Sequence, residues 1–353
     1  MLRQKGLSLV ELMIAVTLGL ILMTGVMQVF LSSKTVFSSQ QALSRVQETG
    51  RLGIEFLSRD IRMAGYMGCA TRVVGMEITN TLKDSDKVLY DFGSAVNGYT
   101  DKTLPGGTVG ETLVVDTDVL VVRSAAGSGV RIAKNNTADD VFIAKVGNVE
   151  AGVCAGGKDR ISGVCEKDIV AVTDCEKSRI FQVSSLALGS GADADKASVG
   201  HDGTSMTPGN AHPVWGGVAA DASETFTAGA ELLAATTNIY FIAKGVSGRP
   251  SLWQSTNGIS LELLEGVDDI SMLYGVDTNA DYVPDKYVKS GAVAATEWPK
   301  VVAIKIELLV ASFEDNVLPE KQKYTFAGEV KTPDDRRLRQ VFTATVGIRS
   351  RLL

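Results

Sequence analysis

The spacing of apolar and polar positions divides the chain into three stretches with different periods. Residues 7–31 are apolar almost without interruption, holding one charge, Glu11, and no proline. A helix of that length extends roughly 37 Å at about 1.5 Å per residue, enough to cross a hydrocarbon core of about 30 Å. Residues 34–65 also lack proline, but the pattern becomes periodic. Leu43, Val46, Gly50, Ile54, Leu57, Ile61 and Ala64 recur at three- and four-residue spacing, which predicts one apolar stripe on a continuing helix. Charges fill the other face, with Glu55 and Arg59 spaced for an i,i+4 pair. Gly50 and Gly53 are expected to weaken the middle and permit a bend, and Gly65 to stop the helix.

Beyond residue 66 the pattern shortens to β-branched runs bounded by Gly, Asp or Asn. Strands are predicted over 114–123, 141–146, 168–173, 179–184, 237–243, 270–274, 301–312, 323–327 and 341–349. Residues 187–230 are rich in Gly, Ala, Ser and Asp and read as a long surface loop or inserted lobe, its two histidines exposed. The expected fold is α+β: one long N-terminal helix packed on a C-terminal antiparallel sheet head with long loops.

Composition narrows the function. The chain has 353 residues with 45% apolar and 22% charged, so a sizeable core is available. Net charge is −6, which excludes a generally basic nucleic-acid binder. His201 and His212 are the only histidines, leaving little for imidazole catalysis or a multi-histidine metal centre. Phosphate loops, G-x-S-x-G elbows and H-E-x-x-H helices are absent. Trp215, Trp253 and Trp298 suit core and contact roles equally.

Arg3 and Lys5 precede the apolar run. They are expected to place the N-terminus in the cytoplasm and the rest of the chain across the membrane. The run is too long for a secretory signal and no A-x-A site follows it. A plain anchor explains the length but not Glu11, since a carboxylate within an apolar span costs several kcal/mol unless paired or protonated.

The segment Gly6-Leu7-Ser8-Leu9-Val10-Glu11-Leu12 resembles the class III leader motif of type IV pilins and type II secretion pseudopilins. The resemblance implies a leader at residues 1–6. Prepilin peptidase would cut between Gly6 and Leu7, and the new amine of Leu7 would be methylated. Family members often begin with Phe, so Leu7 is a mild departure. Glu11 then stands fifth in the mature chain, where it can pair with the amine of a neighbouring subunit and set the axial register of the helices. The implied parts are residues 7–31 as membrane and assembly half, 32–65 as amphipathic half, and 66–353 as periplasmic head.

Residues 53–66, followed by Cys69, resemble the PilW type of minor pilin, as do 168–175, 273–277 and 339–351. That likeness implies a non-enzymatic subunit that primes pilus assembly at the tip. Its partners would be other minor pilins, the major pilin, the inner-membrane assembly platform and a large tip-associated adhesin. The J-type pseudopilin of type II secretion shares the motif and the helix. A membrane-anchored periplasmic enzyme or binding module is the rival from another class, and it requires a catalytic constellation that the sequence lacks.

Two smaller sites remain. Cys69, Cys154, Cys165 and Cys175 allow three disulfide connectivities. Cys154–Cys165 as a local hairpin staple and Cys69–Cys175 as a tie from helix exit to strand are expected; the resemblance supports the second. Asp277, Asn279, Asp281 and Asp285, with the Val283 carbonyl, resemble the start of an EF-hand calcium loop. Tyr282 replaces the turn glycine and Val288 the closing Glu, and a solvated turn explains the same residues.

Overall fold

The computed structural model describes residues 8–68, 77–174, 176–203, 205–216 and 224–351. A single helix, Leu9–Met63, runs unbroken through both N-terminal patterns. Gly65 follows its end with φ +72°, a conformation glycine adopts without steric cost. From residue 9 to residue 41 the helix is almost bare, with Leu22, Val26 and Phe37 each about 70% exposed. Burial begins at Ala42 and continues through Val46, Gly50, Gly53, Leu57, Ser58 and Ile61. Leu43, expected in the stripe, is 40% exposed; the packed face lies one residue earlier, through Ala42. Arg59 turns to Asp60 (Nε–Oδ1 3.4 Å) rather than to Glu55.

The buried face lies between two sheets. A four-stranded antiparallel sheet has the order Lys286–Val288, Val267–Val276, Val301–Ala311, Arg339–Gly347. The helix crosses its last two strands. The larger sheet has eleven strands and is organised by two long ones, Asp118–Lys134 and Glu231–Lys244. Their halves serve different lobes. One half, with Val96–Thr100, Pro250–Thr256 and Ile259–Glu265, covers the helix. Val46, Leu57 and Ile61 there meet Leu120, Val122, Tyr240, Ile242, Ile306 and Leu308 in one core. Burying each such aliphatic side chain contributes about 1.5–3 kcal/mol.

The other half carries Ile169–Thr173, Lys177–Gln182, Asp140–Ala144, Lys196–Gly200 and Ser185–Leu188. It encloses a second core of Val141, Ile143, Val170, Phe181, Val199, Trp215 and Phe226. Of the two readings of 187–230, the described residues fit part of a lobe and not a surface loop. They supply a strand of the sheet and the aromatic filling of this lobe, because Trp215 and Phe226 are the bulk that closes it. His201 is completely buried there, while His212 is exposed. The sheet also departs from the antiparallel expectation at one edge, where Glu77–Asn80 pairs parallel to Lys177–Gln182.

Candidate assembly interface

Ser8 caps the helix. Its hydroxyl accepts the Glu11 amide at 3.1 Å, and the Glu11 carboxylate accepts the Ser8 amide at 2.9 Å. Each half of this box satisfies an amide that the first helical turn leaves without a partner. Glu11 is exposed on a bare helix, free to reach another chain. The S-x-x-E spacing was readable in the sequence. The charge of Glu11 by itself does not point to Ser8; the spacing does. Gly6 and Leu7 lie outside the described residues. Further along the span, Thr17, Thr24 and Thr35 return their hydroxyl protons to carbonyls three or four residues earlier. The segment thereby exposes few unsatisfied polar groups to lipid.

The head grips the helix through its glycines. A methyl group at Gly50 would run into the ring of Phe342, and one at Gly53 would lie 2.6 Å from Cδ2 of Leu308. The two residues are points of close approach, and the helix runs unbroken through them. At the far end Asp60 accepts hydrogen bonds from Asn238 Nδ2 (2.7 Å), Tyr240 Oη (2.7 Å) and Gln254 Nε2 (3.3 Å). Burial and this carboxylate hold the Tyr240 phenol well above its usual value. The Gly65 amide donates to the Arg123 carbonyl (2.7 Å), and the Ser350 hydroxyl to the Ala64 carbonyl (2.6 Å). Nearer the membrane, Arg45 pairs with Glu314 at 2.8 Å, and Ser39 donates to the Val317 carbonyl.

The result is a stiff apolar rod rigidly fixed to a β-rich head. The family model described as type IV pilus-assembly protein W matches residues 239–350. That described as the prokaryotic N-terminal methylation motif matches residues 1–27. Together the two matches support a PilW-type minor pilin. No curated protein and no solved structure matches the chain. The two matched regions are the rod's membrane half and the part of the head that clasps the rod. The second lobe lies mostly outside them. The two matches support an association with the pilus, and the apolar helix supports membrane anchoring.

The remaining sites of this minor pilin separate clearly. Cys154 and Cys165 form a disulfide, with Cα atoms 5.7 Å apart. Cys69 and Cys175 lie outside the described residues. In the acidic loop the side-chain oxygens are turned onto the loop's own amides. Asp277 accepts from Asn279, Ala280 and Tyr282 at 2.7–3.1 Å, Asn279 from Asp281, and Asp281 from Val283. Asp285 accepts from the Thr278 amide and hydroxyl, both at 2.7 Å, which holds its carboxyl below the usual range. Ala280 and Tyr282 adopt φ +65° and +67°, so Tyr282 takes the conformation expected of glycine there. Among the described residues no group of three or more His, Cys, Asp or Glu side chains is placed to hold a metal ion.

Trp215 stacks on His201 with ring centroids 4.0 Å apart, and the Arg179 guanidinium lies 4.9 Å over its ring. Nδ1 of His201 faces the Pro213 carbonyl at 2.9 Å. Burial pushes this imidazole down to about 4. Trp298 packs edge-on against Tyr274 at 4.9 Å. These aromatic rings serve the core.

Proposed function

We propose that this minor pilin is a structural subunit that primes type IV pilus assembly and occupies the tip of the fibre. The observation that carries this reading is the bare rod over residues 9–41. Its length is roughly 50 Å at about 1.5 Å per residue, well beyond a hydrocarbon core of about 30 Å. In the membrane lipid covers it; in a fibre the helices of the major pilin and other minor pilins take lipid's place. The two-lobed head is broad for a repeating shaft and fits a terminal position, where it would meet a large adhesin.

In this reading the protein waits in the inner membrane with its N-terminus cytoplasmic and its head periplasmic. Prepilin peptidase cuts after Gly6 and the Leu7 amine is methylated. The capping box meanwhile lowers the cost of holding Glu11 in lipid. During assembly Glu11 pairs with a neighbour's N-terminal amine, which fixes the register along the rod. The J-type pseudopilin reading shares this chemistry; the match over residues 239–350 favours the pilus.

Intact mass of the protein from cells with and without the peptidase tests the processing. Loss of residues 1–6 with gain of one methyl group, only when the peptidase is present, is the expected result. Pilus counts in a strain lacking this chain then test priming, and Glu11→Ala and Glu11→Val are expected to impair incorporation. An uncut N-terminus in both strains, or wild-type incorporation of both variants, refutes the scheme.

A further inference from the structure

An open cleft of about 620 Å³, lined by both polar and apolar groups, lies beside the last turns of the helix. Asp60 and Met63 form one wall, and Asn238, Gln254 and Thr256 on two adjacent strands form the other. The volume is in the range of small-ligand sites. The polar groups are held in place before any ligand arrives. The Asp60 carboxylate is fixed by Asn238, Tyr240 and Gln254, Gln254 also bonds the Tyr240 hydroxyl at 3.0 Å, and Thr256 donates to Asn238 at 2.7 Å.

The chemistry of the walls limits the ligand. Arg59 and Asp60 compensate each other, so the cleft offers no net charge to an anion or a cation. Met63, Tyr66 and Ala125 add apolar surface beside these polar groups, so the cleft is amphipathic. Among its polar groups, short amides and hydroxyls that can both donate and accept predominate. A neutral polyhydroxylated ring matches this set, its hydroxyls meeting the amides and the carboxylate and its C–H face meeting Met63. Asp60 also lies roughly 77 Å along the rod from Leu9, at the end farthest from the membrane half. We infer that this cleft is a binding site for a neutral carbohydrate, presented at the distal end of the subunit.

The test uses the full chain in phosphatidylcholine nanodiscs, without glycoside detergents, on an array of neutral mono- and disaccharides. Retention of at least one sugar above empty nanodiscs is expected. Thr256→Trp, an exposed substitution that fills the cleft mouth, should weaken it at least tenfold. Asp60→Asn should do the same, with circular dichroism confirming that the helix–head contact survives. Val330→Ser, on another face, should stay within twofold. No retained neutral sugar, retention confined to charged sugars, or binding by Thr256→Trp within twofold of wild type would each overturn the assignment.

Discussion

The buried His201 makes the second lobe sensitive to acid. Its imidazole is wholly enclosed, stacked on Trp215, and held neutral chiefly by burial, against the Pro213 carbonyl and the attraction of Asp139 and Asp202, with Arg179 a minor help. The folded value is about 4 against 6.5 for a free imidazole. A group that gains its proton more readily when unfolded favours the unfolded chain as pH falls. The stability tied to neutral His201 is complete above pH 6.5, declines below it, and is fully lost only below about pH 4. Those two values give a loss of about 2 kcal/mol between pH 7.5 and pH 5. Urea unfolding of the full chain in nanodiscs, followed by tryptophan fluorescence at both pH values, measures it. His201→Gln should be less stable at pH 7.5, since it gives up the stack, yet should lack this part of the pH dependence. Asp269, raised by burial to about 6, contributes with the opposite sign in both proteins and cancels in the comparison. Equal pH dependence in the two, or an imidazole that titrates near 6.5 by NMR, would refute the reasoning.

Three further outcomes are expected. Gly50→Val should push the helix off Phe342 and cost about 1–3 kcal/mol, and Phe342→Ala in the same chain should recover part of it, as a double-mutant cycle of urea midpoints would show. Replacing Cys154 and Cys165 together by Ser opens a loop of sequence separation 11 and should cost about 3 kcal/mol by loop entropy, read as a melting temperature below that of the oxidised wild type and close to that of the reduced one. Asp277→Ala removes the acceptor for three amides; it should lower stability by about 1–3 kcal/mol and speed hydrogen exchange at Asn279, Ala280 and Tyr282, while unchanged exchange would show that the turn holds without it.

Periodicity along the N-terminal 65 residues determined the helix, its two characters and its stop at Gly65, because those features depend on local spacing and one glycine conformation. Glu11 in an apolar run, and the pairing of Cys154 with Cys165, were legible for the same reason: each is a short-range chemical oddity. The strand runs in the head were also visible, as β-branched segments between turn residues. Hidden were the features that depend on distant partners. Gly50 and Gly53 read as weak points until Phe342 and Leu308, nearly 300 and about 255 residues away, are seen pressed against them. Residues 187–230 read equally as a surface loop or an inserted lobe because their composition is small and polar, and only the packing of Trp215 and Phe226 into the core of the second lobe decides between them. Asp60 looked like one more surface charge until Asn238, Tyr240 and Gln254 converged on it. Local pattern fixes which segments coil or extend, since that energy is set by neighbours in sequence. Burial and satisfaction of a polar group depend on which surfaces meet, and only the assembled layers decide that.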